Sequence, residues 1–236
     1  MKIALLGYGK MGKTIEKLAE AKEHQIVARI SSNSDFSELQ KADVAIDFSI
    51  PEAAVKNITA CFELGIPVVS GTTGWLEHYD EVLNACQLCN GSFIYASNFS
   101  VGVNLFFELN KQLAQMMAKH KVYTVDIEEI HHTQKLDSPS GTAISLAKDI
   151  IEKSDYTGWK LNEASPTEIP IKALRIGDVK GTHTVSYRSA IDTLSIKHEA
   201  HSREGFALGA ILAAEWLQGK KGVFTMKDVL GLVDRG

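Results

Sequence analysis

The feature that most constrains this chain is a glycine-rich turn placed directly after an apolar strand. Residues 3–6, Ile-Ala-Leu-Leu, form a short continuous apolar run, which is typical of a strand buried on both faces of a parallel sheet. Residues 7–12 then have the pattern G-x-G-x-x-G, and apolar residues at helical spacing follow from Met11. This order predicts a dinucleotide-binding unit. The alternative is an ordinary strand-to-helix turn that uses glycine for geometry alone.

Each part of the turn has its own expected task in binding a dinucleotide. Gly7 permits the tight turn, Gly9 lets the backbone approach a pyrophosphate, and Gly12 allows the helix to pack closely on the strand. The helix that opens at this point supplies free N–H groups and a partial positive charge to the phosphates. We therefore predict cofactor contacts at Gly7, Gly9, Lys10, Met11 and Gly12.

The rest of the hydrophobic pattern predicts an α/β fold with two domains. Strands are expected at 3–6, 26–30, 44–48, 67–70, 92–96, 122–130, 169–175, 182–189 and 192–199, and helices from Met11 and at 51–64, 75–89, 101–119, 140–152, 206–217 and 226–230. The alternation up to residue 96 predicts an N-terminal Rossmann-like, doubly wound parallel sheet. The later strands predict an α+β region with a mixed, largely antiparallel sheet. We expect a dinucleotide-binding domain at 1–101 with 206–236, and a substrate-binding and oligomerisation domain at 102–205.

Composition excludes several classes of function. The chain has 25 Lys and Arg against 29 Asp and Glu, a net charge of −4, which offers no basic field for nucleic acid. No apolar run approaches the roughly 20 residues of a membrane span. Three cysteines are too few for a disulfide framework and favour a reducing compartment, so we expect a cytoplasmic protein. Cys86 and Cys89 have CxxC spacing but lack a second pair of ligands, so we expect no metal.

The end of the second strand indicates which dinucleotide is bound. An acidic residue roughly 20 residues beyond the glycine motif would bind the adenine ribose hydroxyls. The chain has Ser31 and Ser32 there, and with Arg29 nearby these side chains can accommodate a 2′-phosphate. This predicts NADPH, with NADH also accepted, and cofactor contacts at Ser31 and Ser32. Two alternatives stay open: Arg29 could point elsewhere, and Asp35 could act from the following loop.

The most informative segment for chemistry is residues 129–143, EIHHTQKLDSPSGTA. It runs from a strand through a loop into a helix whose N-cap we expect at Ser138 or Ser140. The hydroxyls and N–H groups of residues 140–142 suit a carboxylate, and Lys135 can add charge or a proton. The alternatives are surface or packing roles for the paired histidines and a plain N-cap for the Ser-Gly-Thr turn.

This segment closely resembles the E-x-H-H-x-x-K-x-D-x-P-S-G-T-A signature of the 4-hydroxy-tetrahydrodipicolinate (dihydrodipicolinate) reductase family, which serves bacterial lysine and diaminopimelate synthesis. The resemblance spans essentially the whole chain. Other blocks that look like the family's, in its order, are residues 47–49 (DFS), 71–74 (GTTG), 98–104 (NFSVGVN), 175–177 (RIG) with Gly181 and His183, and 228–232 (DVLGL).

The resemblance implies hydride transfer from a reduced nicotinamide cofactor to a cyclic imine dicarboxylate, giving tetrahydrodipicolinate, and a homotetramer. It implies a general acid at His131 and a proton donor at Lys135, a division that the sequence alone leaves open. Substrate carboxylates would be bound by His132, Lys135, Ser140, Gly141 and Thr142. Further cofactor contacts would come from Phe48, Ser49, Gly71, Thr73, Ser97, Asn98 and Phe99.

Two other functions compete with this interpretation. One is an oxidoreductase of similar build acting on a sugar or aldehyde, which would need a different loop at residues 129–143. The other is a nonenzymatic dinucleotide sensor, which has no need of two histidines, a lysine and a carboxylate pocket in one loop.

Overall fold

A computed structural model describes residues 1–31 and 36–232 of the chain. The strands are β1 (Lys2–Leu6), β2 (Gln25–Ile30), β3 (Val44–Asp47), β4 (Val68–Ser70), β5 (Ser92–Tyr95), β6 (Thr124–His131), β7 (Gly158–Leu161), β8 (Glu168–Arg175), β9 (Thr182–Arg188), β10 (Thr193–Glu199) and β11 (Gly222–Phe224). The helices are α1 (Lys10–Ala21), α2 (Pro51–Glu63), α3 (Tyr79–Leu88), α4 (Val101–Met117), α5 (Gly141–Lys153), α6 (Glu204–Leu217) and α7 (Met226–Val229). The chain divides into two compact units: unit 1 is 1–101 with 204–236, and unit 2 is 102–203.

Unit 1 contains a six-stranded sheet in the order β11-β5-β4-β3-β1-β2, with parallel pairing throughout. Its strands are apolar on both faces, as Leu5 and Leu6 show, because helices cover both sides. One face packs on α1 and α6, and the other on α2 and α3. Since every strand runs in the same direction, the loops that follow β1, β3, β4 and β5 all leave from one edge of the sheet.

Unit 2 contains a five-stranded mixed sheet in the order β10-β9-β6-β8-β7. The mixed sheet was expected. The prediction that it is largely antiparallel is wrong, because β6 pairs with β8, and β8 with β7, in parallel. Strand β9 pairs with β6 and β10 in antiparallel fashion. Strands β6 and β8 can pair in parallel because α5 carries the chain back along the sheet between them.

Helices α4 and α5 cover one face of the unit 2 sheet. Apolar side chains of the helices, among them Leu113, Leu146 and Ile150, pack on Ile127 and Val185 of the strands. The buried Asn110 side chain joins the two helices by donating a hydrogen bond to the Leu146 carbonyl oxygen, 3.1 Å away. This packing holds α5, which follows the loop after β6, against the sheet.

Several element predictions need correction. The helix expected at 75–89 is a 3-10 turn at Leu76–His78 followed by α3. Strands β7 and β11 were missed, since they are only four and three residues long and neither is fully buried. A further 3-10 turn at Ser37–Lys41 was also missed. Within residues 1–31 and 36–232, none of the helices combines the length and apolar character that crossing a membrane requires.

Candidate active site

The loop between β6 and α5 in unit 2, together with the end of β6, carries acidic, basic and hydroxyl side chains close together. Strand β6 ends at His131, and α5 begins at Gly141. Ser140 is the N-cap, because its Oγ accepts a hydrogen bond from the Ala143 N–H at 3.2 Å. Of the two N-caps that the sequence allowed, the structure therefore selects Ser140 over Ser138.

Glu129, on β6, is the centre of a buried polar cluster. Its side chain is fully buried, and its Oε1 accepts hydrogen bonds from the Ser140 N–H and from Arg175 Nη2, both at 3.1 Å. Its Oε2 lies 3.2 Å from His131 Nδ1 and 3.7 Å from His183 Nε2. Burial by itself raises the pKa of Glu129, but His131, Ser140 and Arg175 together lower that pKa to about 2. The carboxylate is therefore charged.

His183, on β9, faces this cluster from the neighbouring strand. Its Nε2 is 3.1 Å from Ser140 Oγ, and its ring meets the His131 ring edge to face with centroids 5.0 Å apart. Burial, and then the nearby His131, lower the pKa of His183 to about 3, so this ring is neutral near pH 7. This cluster has the spacing that a metal site requires: Glu129, His131 and His183 each offer one possible ligand atom, and the three atoms lie within 4.8 Å of one another. Arg175 already supplies the cation that Glu129 needs, so we assign no metal here.

Arg175, on β8, fixes the loop that carries Lys135. Besides Glu129, its guanidinium donates hydrogen bonds to the main-chain oxygens of Asp137 at 2.6 Å and of Lys135 at 3.3 Å. The Lys135 ammonium donates to both oxygens of the Asp137 carboxylate, at 2.7 and 2.8 Å. The structure thus ties His131, Ser140 and the Lys135 backbone to Glu129 and Arg175, and pairs the Lys135 side chain with an acid.

The other predicted substrate residues lie at the ends of the same loop. His132 Nε2 is 2.7 Å from Arg203 Nη2, and partial desolvation and then the Arg203 charge lower the pKa of His132. Gly141 is exposed, with open space where a side chain would be, and Thr142 is half-buried. In the sequence, Glu129 and Arg175 stand out only as members of family-like blocks, and nothing marks Arg203. His183 is marked by the G-x-H spacing of residues 181–183, in the block that follows Arg175.

In unit 1, the glycine turn has the geometry that its sequence predicts. Gly7 has φ +90°, and a Cβ there would lie 2.3 Å from the Phe48 carbonyl oxygen. A Cβ on Gly12 would lie 2.4 Å from the Gly7 carbonyl oxygen, so the helix can approach the turn this closely only because residue 12 is glycine. Gly9 instead faces open space at the start of α1, followed by exposed Lys10 and half-buried Met11. The turn therefore offers both open space for a ligand and free N–H groups at the start of α1.

Phe48, Ser49, Gly71 and Thr73 follow β3 and β4 at the same edge of the sheet. The fully buried Asp47 accepts hydrogen bonds from Ser49 Oγ at 2.7 Å and from Ser70 Oγ at 2.8 Å. Burial raises the pKa of Asp47, against these hydrogen bonds. The Ser49 N–H donates to Thr72 Oγ1 at 2.8 Å. Asp47, recognised only as part of a block, therefore fastens the two loops together.

The segment after β5 contributes unevenly. Ser97 is exposed and Asn98 is half-buried, whereas Phe99 is 1% exposed and packs in the core of unit 1, where its ring lies 5.9 Å from that of Phe48. Phe99 is therefore not available to a ligand, and the cofactor contact predicted at this residue is not supported by the structure.

The end of β2 differs from the expectation for Arg29. Its guanidinium is bound by the Glu16 carboxylate, with Nε 2.8 Å from Oε1, and it lies over the Tyr8 ring at 5.7 Å. The sequence left open whether Arg29 points toward a 2′-phosphate or elsewhere. In the structure it points elsewhere, to Glu16. Ser31 is exposed, whereas Ser32 and Asp35 lie outside the described residues.

Comparison with known families and proteins covers almost the whole chain. The family model for the N-terminus of dihydrodipicolinate reductase matches residues 1–99, and the model for the C-terminus matches residues 102–230. A 4-hydroxy-tetrahydrodipicolinate reductase of Christiangramia forsetii is 58% identical over 233 residues, covering 98% of each chain. One from Methanococcoides burtonii is 34% identical, covering 94% of this chain and 86% of the relative.

Solved structures share the fold at lower identity. A dipicolinate-bound dihydrodipicolinate reductase from Paenisporosarcina has a TM-score of 0.77 at 22% identity, covering 95% of this chain and 97% of that one. A probable dehydrogenase from Thermotoga maritima has a TM-score of 0.58 at 9% identity, covering 97% and 92%. Unit 1 corresponds to the nucleotide-binding domain of a reductase. The chain therefore belongs to the 4-hydroxy-tetrahydrodipicolinate reductase family, NAD(P)H-dependent oxidoreductases of lysine and diaminopimelate biosynthesis.

Proposed function

We propose that unit 1 binds NADPH at its glycine turn and that the loop between β6 and α5 binds a cyclic imine dicarboxylate and protonates it during hydride transfer. The observation that carries this proposal is the cluster around Glu129. One buried carboxylate connects His131, the Ser140 N–H at the start of α5, and Arg175, which holds the Lys135 backbone. A structural loop has no need to gather an acid-base side chain, a cation and a helix N-terminus in one place.

Binding of the substrate carboxylates is assigned to the first turn of α5 and to Lys135. The N–H groups of Gly141 and Thr142 lie in that turn, where a helix has no internal acceptors for them. The Ser140 N–H and hydroxyl are engaged by Glu129, Ala143 and His183, so Ser140 acts by shaping the turn. His132 would approach a carboxylate together with the adjacent Arg203.

The chemistry requires a proton donor. When a hydride adds to an imine carbon, the nitrogen gains the electron pair of the C=N bond and takes up a proton. His131 suits this task, because an imidazole N–H is a common general acid in proton transfer. Lys135 shares the role or neutralises a carboxylate, for which its ammonium would exchange Asp137 for the substrate. In this family the cofactor supplies the hydride, and the residues of this chain supply the proton and the fixed charges.

For the cofactor we propose NADPH, with NADH also accepted. The exposed Ser31 puts no carboxylate against a 2′-phosphate. Arg29 reaches such a phosphate only by leaving Glu16, so the preference over NADH is expected to be modest. The remaining unit 1 contacts would be Lys10, Met11, Phe48, Ser49, Gly71, Thr73, Ser97 and Asn98, around the turn of Gly7, Gly9 and Gly12.

We further propose a homotetramer assembled through the sheet of unit 2. Its edge strand β10 exposes Leu194 (45%), and the turn before it exposes Ile191 (93%), which favours coverage by another copy. Light scattering on the purified protein gives the mass, and a monomer in solution would contradict this assembly.

The direct test follows reduced nicotinamide absorbance with NADPH and then NADH. The substrate is generated in place from pyruvate and aspartate semialdehyde by the preceding synthase. Rapid oxidation is expected with both cofactors. No oxidation while both cofactors still bind would favour a sensor or another carbonyl substrate. In that case, cofactor titration with and without pyridine-2,6-dicarboxylate separates the two, because a sensor ignores the dicarboxylate.

A further inference from the structure

We propose that Glu129 is a positioning residue for the reduction: its carboxylate holds the His131 ring through Nδ1 and so presents Nε2 as the atom that protonates the substrate. This inference rests on the role proposed above for His131. Glu129 itself touches neither substrate nor cofactor in this scheme, and it acts through the histidine.

The two nitrogens of His131 have different surroundings. Nδ1 is buried and lies 3.2 Å from Glu129 Oε2, within ion-pair distance, and among the described residues neither atom makes a well-aligned hydrogen bond. Nε2 lies beside Gly181, where an added Cβ would stand 3.2 Å away. A residue without a side chain therefore leaves space at Nε2. Since Nδ1 is turned toward Glu129, Nε2 is the nitrogen left for a substrate.

The strand geometry explains why Glu129 is able to hold this ring. Side chains two apart on a strand share one face, so Glu129 and His131 project to the same side of β6. His183 is the register partner of Glu129 on β9 and closes the cluster from that side. The other carboxylate oxygen is fixed by the Ser140 N–H and Arg175. The carboxylate is thus held at Oε1 before any substrate arrives, and its Oε2 is left facing His131 and His183.

The charges around His131 make Glu129 its electrostatic partner. The titratable and charged groups that face this ring are Glu129 on β6, His183 on β9, Arg175 on β8, and His132 and Lys135 on the loop. Among these described groups Glu129 is the anion, and the loop acids Asp137 and Asp178 are paired with Lys135 and Lys180. A carboxylate behind an imidazole stabilises the imidazolium and fixes its orientation, as in other acid-base pairs.

The central test compares Glu129→Gln with Glu128→Gln, a neighbour on the same strand that pairs with the surface Lys172. We expect Glu129→Gln to lower kcat about 10- to 100-fold. The alkaline limb of its pH profile should move about one unit to lower pH, because a neutral amide no longer stabilises the imidazolium. NADPH binding, measured by fluorescence, should stay unchanged. Glu128→Gln should behave as the wild type in all three measurements.

A double-mutant cycle separates positioning from mere structural support. In a His131→Asn background, Glu129→Gln should lower kcat less than about threefold, because the residue through which it acts is gone. Equal losses in both backgrounds, or an unmoved pH limb, would overturn the inference. If His131→Asn alone retains near-normal turnover, the proposed role of His131 fails instead, which is a distinct result.

A measurement on the unmodified protein covers the case in which Glu129→Gln does not fold. Nitrogen-15 NMR at alkaline pH should show the Nδ1–H tautomer of His131, assigned by loss of its signals in His131→Asn. The Nε2–H tautomer would contradict the inference. Tight Zn²⁺ binding to chelator-treated wild type, abolished in Glu129→Gln, would also overturn it, in favour of a metal at this cluster.

Discussion

The guanidinium of Arg29 is held by the carboxylate of Glu16, although the two residues lie on different elements, β2 and α1. The Tyr8 hydroxyl donates to the other oxygen of the same carboxylate. Glu16 therefore links the glycine turn, α1 and β2. Hydrogen bonds from Arg29 lower the pKa of Glu16, which keeps the acid charged. This pair stands where the sequence offered Arg29 as one possible neighbour of a 2′-phosphate.

Glu16→Gln is therefore expected to raise the preference for NADPH over NADH, by about 10-fold in the ratio of kcat/KM values, since it frees Arg29 for a phosphate. Initial rates with both cofactors give the ratio. Glu20→Gln, on an exposed turn of the same helix, is the matched control. A lowered ratio would mean that Glu16 supports the adenosine pocket rather than competing for Arg29.

Ser31→Glu should shift the preference the other way, toward NADH. A carboxylate at this position repels a 2′-phosphate and accepts hydrogen bonds from ribose hydroxyls. The expected change is about 10-fold or more in the same ratio of kcat/KM values. An unchanged ratio would remove Ser31 from the cofactor site.

His131→Ala and Lys135→Ala are each expected to lower turnover by about 100-fold or more if they act in proton transfer. Steady-state rates with NADPH provide the measurement, and binding of NADPH should be retained. His78→Ala and Lys172→Ala, both on exposed surfaces, serve as controls. Near-normal turnover in both active-site variants would remove the mechanism.

Arg175→Lys should lower turnover about 10- to 100-fold, even though the charge is kept. The guanidinium reaches Glu129 and the carbonyl oxygens of Lys135 and Asp137 together, and a lysine ammonium has no such fork of donors. Arg188→Lys, at an exposed pair with Asp126, is the control. Turnover equal to that of the wild type would show that the loop keeps its shape without Arg175.

The stability of the protein should fall in acid partly through His183. In the unfolded chain this ring binds a proton near pH 6.5, whereas in the folded protein it does so only near pH 3. Between these values the unfolded state binds more protons, so the free energy of unfolding decreases as pH falls. The contribution between pH 6.5 and pH 4 is on the order of 3 kcal/mol.

His183→Gln should therefore flatten the pH dependence of urea unfolding over that range. The exposed His78→Gln should leave the slope as it is in the wild type. A slope unchanged in His183→Gln would show that other groups account for the loss of stability in acid.

The sequence predicted unit 1 better than unit 2 for a physical reason. Strands that are buried on both faces, such as those at residues 3–6 and 44–47, signal their burial directly, and the glycine turn has few alternative geometries. Strand β7, with the sequence GWKL, carries no alternation and pairs only at an edge, so nothing local announces it.

For the candidate site, a linear pattern identified the loop but not its supports. His131, Lys135 and Ser140 lie in one segment and were assigned together. Arg175 and His183 come from other strands, and their convergence on Glu129 depends on the register of β6 with β8 and β9. The sequence left the direction of Arg29 open, because its partner Glu16 is on α1 and the direction of a strand side chain is a tertiary property.

The division of unit 1 between two stretches of chain has a consequence for biosynthesis. Strand β11 and helix α6 complete the parallel sheet and its cover, yet they are translated after all of unit 2. Unit 2 is continuous, so it has its whole core available while unit 1 still lacks an edge strand and one covering helix. During synthesis on the ribosome, β5 therefore remains an open edge until the final segment emerges, which is the interval in which a chaperone has most to protect.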